Sequence, residues 1–513
     1  MYSRHRYTLF LILVAGILAC NLPSLVTSAP PTHPPVQEIA SPISPPSSTA
    51  TSFSYQPVFE PASCAFPVPS GYSPECGYLV VPENRARPDT RFIRLHVAIF
   101  RNRSGQPVPD PVIHLAGGPG SSSLDVASYM FGQGLDSILD QRDFILFDQR
   151  GTGYSQPRLD CQERTSITAT LLETGLTTES AQQLVIEAFR RCRDRLTMEG
   201  VDISAYNSAA SAADLNDLRL ALGYEKLNLY AVSYGTRLAL TLMRDYPGAV
   251  RSAVLDSVYP LQVNLYTALA PNAQRAFDVF FNRCAADSFC NTAYPDLRGV
   301  FYRLVDQLNA QPISVVLYAA GAERTVRLDG GLLIDVLFVG LYNPVVTASM
   351  PGMIYDIQQG NYTILRERLA LYFDSSSALG MQMAVQCAEE FPFNPVEEAY
   401  AAAQGLQPQI AAFYPNSVRA LFVVCREWTG SSPDPRENLP VLSNVPALVL
   451  AGEHDPITPP DWGRMISDDL SHAYYHEFPG NGHWVTRSSR CALEMSLAFW
   501  RDSGPDPGYI CQP

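Results

Sequence analysis

The strongest constraint in the sequence is a rhythm. Short apolar runs recur, each closing in a turn or loop, with helically spaced segments between them. "PVIHLAGGPG", "RDFILFDQRG", "LNLYAVS", "RSAVLDSV" and "VPALVLAGEHDPITPP" are the runs. Runs this short, bounded by turn residues, fit buried strands. "SAADLNDLRLALGY" and "TRLALTLMRDYP" carry helical spacing, with Ser211 the expected cap of the first and Gly223 its stop. "CGYLVVPEN" and "RFIRLHVAIFRN" add two earlier strands. Strands alternating with helices imply a mostly parallel sheet flanked by helices, an α/β fold.

The rhythm breaks after about residue 260 and returns at about 440. Residues 261–439 read as mostly helical, apart from "ISVVLYAAGAERTVRLDG", which has the pattern of a hairpin. The expected organisation is a core from 56–260 and 440–513, with 261–439 inserted as a helical cap over one end of the sheet. The chain of 513 residues has ample length for both.

Residues 1–20, "MYSRHRYTLFLILVAGILAC", have the basic start and short apolar stretch of an export signal. Ile17-Leu18-Ala19-Cys20 resembles a bacterial lipobox, which makes Cys20 a candidate for lipidation and implies anchoring at a cell surface or facing the periplasm. Residues 21–55 are rich in proline, serine and threonine and are expected to form an extended tether. Of the eleven cysteines, setting Cys20 aside leaves an even number, as suits an exported chain. Sequence neighbours suggest the pairs Cys64/Cys76, Cys161/Cys192, Cys284/Cys290, Cys387/Cys425 and Cys491/Cys511, although other pairings satisfy the same count. No CxxC zinc pattern is present, so no metal is expected. The net charge of −14 argues against nucleic acid as a partner.

A serine hydroxyl needs a neighbouring base to act as a nucleophile, and the base needs an orienting acid. Ser233 lies where an apolar run meets a helix. Asp455 and His483 follow in "LAGEHDPITP" and "FPGNGHWV". The order serine, acid, histidine is that of α/β hydrolases. Asp148 and Asp256 are alternative acids, and His454 is an alternative base. Charge that develops on a carbonyl oxygen requires backbone N–H groups; the loop "GGPGSS" offers Gly118 N–H, and the elbow offers Tyr234 N–H.

"AGGPGSSS", "FDQRGTGYSQP", "YAVSYGTRLAL", "LAGEHDPITP" and "GNGHWV" appear in one order. With these motifs the chain resembles the α/β-hydrolase-fold serine peptidases of the prolyl iminopeptidase and tripeptidyl aminopeptidase type. The resemblance implies Ser233 as nucleophile, Asp455 as acid and His483 as base, without a cofactor. It makes Asp148 and Arg150 supports of the active-site loops. Two positions depart from the pattern: Ala116 stands where a histidine is common, and Ala231 replaces the first elbow glycine. Aminopeptidases must read a free amine, and the "C-x-E" pattern nominates Glu389, with Glu390 beside it. The implied activity is removal of N-terminal residues from short peptides. An esterase or amidase using the same triad, or a non-catalytic surface binding protein, are the alternatives.

Overall fold

The computed structural model describes residues 55–106, 108–373, 376–428, 434–503 and 505–511. The signal segment 1–20 with Cys20, and nearly all of the linker, lie outside the described residues. Nine strands form one sheet in the order β1-β2-β3-β5-β4-β6-β7-β10-β11. They are β1 (Val58–Pro61), β2 (Glu75–Pro82), β3 (Phe92–Phe100), β4 (Val112–Leu115), β5 (Phe144–Phe147), β6 (Leu227–Val232), β7 (Val250–Asp256), β10 (Ala447–Gly452) and β11 (Ala473–Phe478). The first three strands pair antiparallel, as does β3 with β5. From β5 to β11 every pairing is parallel.

The unbroken apolar runs are explained by burial on both faces. Every residue of β4, β5, β6 and β10 is buried. Ile113, Leu115, Leu229 and Ala231 pack on one side with Leu215, Leu238 and Leu242 from the helices Ser208–Ala221 and Tyr234–Asp245. Val112, Tyr230, Val254 and Leu450 face the other side, against Met130, Phe131, Leu493 and Phe499. At about 25 cal/mol per Å² of apolar area removed from water, these two layers dominate the stability of the core.

The helix Ser208–Ala221 starts three residues before its expected cap. Asn207 is extended and its side-chain oxygen accepts from Ala210 N at 2.8 Å. Ser211 therefore lies inside the helix and is buried. Gly223 ends the helix as expected, with φ +75°.

The helical layer draws on more of the chain than 261–439. Its core joins Val185, Ile186, Phe189 and Leu196 of the helix Thr178–Met198 to Phe277, Phe301, Phe338 and Trp428. Phe189 meets Trp428 edge-on at 6.0 Å. The segment 161–206 was expected in the sheet core, but its apolar face matches the cap helices. The hairpin is present as β8 (Ile313–Ala319) and β9 (Ala322–Leu328), and Val315, Leu317 and Val326 point into this same core. Its two-residue turn, Ala320-Gly321, has positive φ at both positions, as tight hairpins require.

All five neighbouring cysteine pairs are disulfides: Cys64–Cys76, Cys161–Cys192, Cys284–Cys290, Cys387–Cys425 and Cys491–Cys511. Among the described residues no helix is long and apolar enough to cross a membrane.

Candidate active site

Ser233 ends β6 and caps the helix Tyr234–Asp245 with φ +57° and ψ −128°. This region is costly for a residue with a side chain, on the order of 1–3 kcal/mol, and persists only where its surroundings fix it. They do so here. Ser233 N donates to Asp256 O at 3.0 Å, and Ser233 O accepts from Thr236 N at 2.8 Å and Thr236 Oγ1 at 2.6 Å. The bend presses strand against helix: a Cβ on Gly235 would lie 2.0 Å from Leu115 O. Ala231, two residues before Ser233, is fully buried and adds its methyl to the core. The elbow thus needs its second glycine and accommodates alanine at the first.

Asp455 and His483 follow β10 and β11, the two neighbouring strands at one end of the sheet. His483 Nδ1 lies 2.8 Å from Asp455 Oδ2. Thr458 Oγ1 donates to the same oxygen at 2.7 Å, while Ile457 N and Thr458 N donate to Oδ1 at 3.0 and 2.9 Å. Burial pushes the Asp455 carboxyl up, but His483 and the Thr458 donors more than offset it, leaving it below the usual value. The acid is therefore held ionised against the imidazole.

The rival acids have other partners. Asp256 accepts from Val485 N, Thr486 N and Thr486 Oγ1 at 2.8, 2.8 and 2.6 Å. It fastens the turn behind His483 instead of orienting the imidazole. His454 is buried, and among the described residues neither ring nitrogen has a hydrogen-bond partner. Asp148 accepts from Ser122 Oγ at 2.9 Å and from Tyr154 N at 2.8 Å, tying the glycine loop after β4 to the loop after β5. Arg150 is fully buried and pairs through Nε and Nη2 with Asp214, both at 2.7 Å.

Ser233 and His483 line one pocket with Gly117 and Gly118. Tyr342, Asn343, Ser377 and Gln382 border it from the helical layer. The layer is clamped to the catalytic loops: Arg275 donates to Asp455 O at 2.5 Å, and a Cβ on Gly482 would lie 2.1 Å from Leu341 O. The Tyr342 ring is 4.8 Å from the His483 ring. Tyr234 opens the helix after the elbow, and Gly118 lines the pocket together with Ser233. The Tyr234 phenol points away and pairs with Ser208 Oγ at 2.8 Å.

Glu389 and Glu390 do not border this pocket, contrary to the expectation that they meet a substrate amine. Both are buried at the end of the helix Leu379–Glu389. Glu389 accepts from Ser208 N at 2.5 Å and from Arg237 Nε at 3.2 Å, and Glu390 lies 2.9 Å from Arg237 Nη1. Ser208 opens a helix, whose N-terminus attracts a carboxylate, and Arg237 supplies the opposing charge. The sequence pattern located the acids but not the arginine that occupies them. Thr458, Tyr342 and Arg487 also escaped the sequence analysis. Thr458, three residues after Asp455 in a proline-rich turn, was the one legible from spacing alone.

A family model described as the alpha/beta hydrolase fold matches residues 110–486. The chain is 23% identical to the serine protease Hip1 of Mycobacterium tuberculosis, over 84% of this chain and 86% of that protein. It is 32% identical to the tripeptidyl aminopeptidase of Streptomyces lividans over 36% of this chain and 35% of that one. A carboxylesterase B of Mycobacterium tuberculosis is 25% identical over 77% and 79%. With the elbow, the parallel sheet and the matched span in agreement, the chain belongs to the α/β-hydrolase fold family.

Proposed function

We propose that this chain is an exported serine exopeptidase that releases N-terminal residues from short peptides through an acyl-enzyme. Ser233 Oγ attacks the scissile carbonyl carbon, and His483 Nε2 takes its proton. Asp455 holds the imidazole with Nδ1–H toward its carboxylate, which leaves Nε2 free to accept. Negative charge on the carbonyl oxygen is met by Gly118 N–H and Tyr234 N–H. The proton on His483 passes to the leaving amine, the amine departs, and water activated by the same nitrogen releases the acyl group.

The observation that carries this reading is the roof. Tyr342 and Gln382 of the helical layer border the pocket that holds Ser233, so a chain end fits where a folded protein surface does not. The names of the protease and tripeptidyl aminopeptidase relatives support peptides as substrates. Five disulfides support export, and lipid on Cys20 is part of the same proposal.

The test is hydrolysis of alanyl, prolyl and tripeptidyl amides with free and acetylated N-termini, beside a p-nitrophenyl ester. Turnover confined to free-amine peptides and lost in Ser233→Ala is the expected result. Ester turnover without peptide turnover would replace the peptidase reading with an esterase one.

A further inference from the structure

The pocket's charged side chain, apart from the His483 imidazole, is a guanidinium. Arg487 lines it four residues after His483. Trp484, with φ +63°, bends the chain between them, and Asp256 fixes Val485 and Thr486 behind the bend. The base and the arginine are thus carried on one rigid corner.

Arg487 is half-buried. The buried Arg150 and Arg237 each pair with a carboxylate, while the buried Arg164 has none among the described residues and donates to Thr168 Oγ1 at 3.5 Å. Among the described residues Arg487 has none within ion-pair distance. Its Nε donates to Tyr129 OH at 3.0 Å, and its Cζ lies 4.8 Å from the Tyr129 ring and 5.6 Å from the Trp484 ring. Such stacking orients a guanidinium without neutralising it. Among the described residues neither Nη group has an acceptor, and together they form the fork that a carboxylate fits. A second observation points the same way. Ser121 and His114 line this pocket, and among the described residues their buried Oγ and Nε2 atoms have no hydrogen-bond partner. Unsatisfied buried polar atoms are costly, and a polar ligand would satisfy them.

We propose that Arg487 is a specificity-determining residue that binds a carboxylate of the substrate peptide, positioning the scissile bond over Ser233. This rests on the peptidase reading above. The carboxylate is either the C-terminal group of a short peptide or an acidic side chain near the cleaved bond.

The test compares kcat/KM for one free-amine peptide series that ends in a carboxylate or an amide, and that carries Glu or Gln beside the scissile bond. The p-nitrophenyl ester runs in parallel. A carboxylate preference of about 10- to 100-fold is expected, the range for a charge-assisted bond. Arg487→Gln should erase the preference, Arg487→Lys should restore part of it, and Tyr129→Phe should weaken it while keeping the ring. Which pair shows the preference identifies the source of the carboxylate. Peptide turnover with equal rates for every charged and neutral pair would overturn the inference and leave the peptidase reading intact. Ester turnover alone would overturn the peptidase reading itself. If Arg487→Gln lowers all substrates equally and the preference survives, the arginine merely holds the corner and the assignment fails.

Discussion

The helix Tyr234–Asp245 separates two assemblies of buried charge. At its start, Ser233 shares a pocket with His483, whose imidazole pairs with Asp455. One turn on, Arg237 faces Glu389, Glu390 and the backbone of Glu437, while Arg244 takes the Glu437 carboxylate at 2.9 Å. Both assemblies bury carboxylates beside a partner, although in the second Glu437 Oε2 accepts no hydrogen bond among the described residues. They differ in what is left over. In the first, each Asp455 oxygen is occupied but His483 opens to a pocket. In the second, Arg237 is capped on every side, also by Pro260 O and Leu261 O at 3.3 Å. Burial pulls the Arg237 guanidinium down, yet Glu390, Tyr259 and Glu389 hold its pKa above the usual value. A buried charge with a path to solvent can exchange protons with a substrate, whereas one enclosed by partners joins the cap to the core.

The sharpest test of that contrast is at the nucleophile. Ser233→Ala should lower kcat/KM by at least about 10⁴-fold, with an unchanged melting temperature, because alanine removes one hydroxyl and little packing. Asp455→Asn should cost on the order of 10³- to 10⁴-fold, again in kcat. Asp256→Asn offers the internal control. It loosens the turn Val485–Ser488 and should lower the melting temperature together with the rate. A larger rate loss in Asp256→Asn than in Asp455→Asn, with no thermal change, would mean that Asp256, not Asp455, governs the imidazole.

The centre of the sheet was legible because β5 and β10 are apolar throughout and β4 and β6 nearly so, and burial on both faces suits runs such as Phe144–Phe147. Ser233 and Asp455 were legible as candidates because each follows such a run, whereas His483 follows the mixed strand β11. β1 was missed since Val58–Pro61 is short, lies at the edge and is partly exposed. The membership of 161–206 in the helical layer was missed since an amphipathic helix states that it packs, but not on what. Glu389 shows the same limit at a single residue. Its position beside Cys387 is readable, but Arg237 comes 152 residues earlier and only the fold brings them together.

The second assembly is broken most directly by Arg237→Ala, which leaves Glu389 and Glu390 without their countercharge. Removing one partner of a buried pair costs about 3–5 kcal/mol, so a large fall in melting temperature should precede any specific change in kinetics. Glu389→Gln is milder, because the amide still accepts from Ser208 N. It should lower the melting temperature slightly and leave the ratio of free-amine to acetylated peptide turnover as it was. Loss of that ratio at constant stability would mean the sealed assembly opens to substrate, and the contrast between the two would fall.

The smallest expected effect separates two aspartates by sign. Burial pushes Asp148 up to about 6 from 3.8 despite the donors Tyr154 N and Ser122 Oγ, while Asp455 is held below 3.8. Folded protein therefore binds a proton at Asp148 more tightly than the unfolded chain does. The stability contributed by this group rises as pH falls from about 6 towards 3.8, by at most about 3 kcal/mol at 1.4 kcal/mol per unit. Asp455 does the reverse: its contribution is present above 3.8 and is lost as pH falls through its lowered value. Melting temperatures of the wild type, Asp148→Asn and Asp455→Asn at pH 7 and pH 5 distinguish the two. The wild type should gain on Asp148→Asn at the lower pH, while its margin over Asp455→Asn holds. A margin over Asp148→Asn that does not change with pH would mean Asp148 is ionised throughout, with its donors outweighing burial as they do at Asp455.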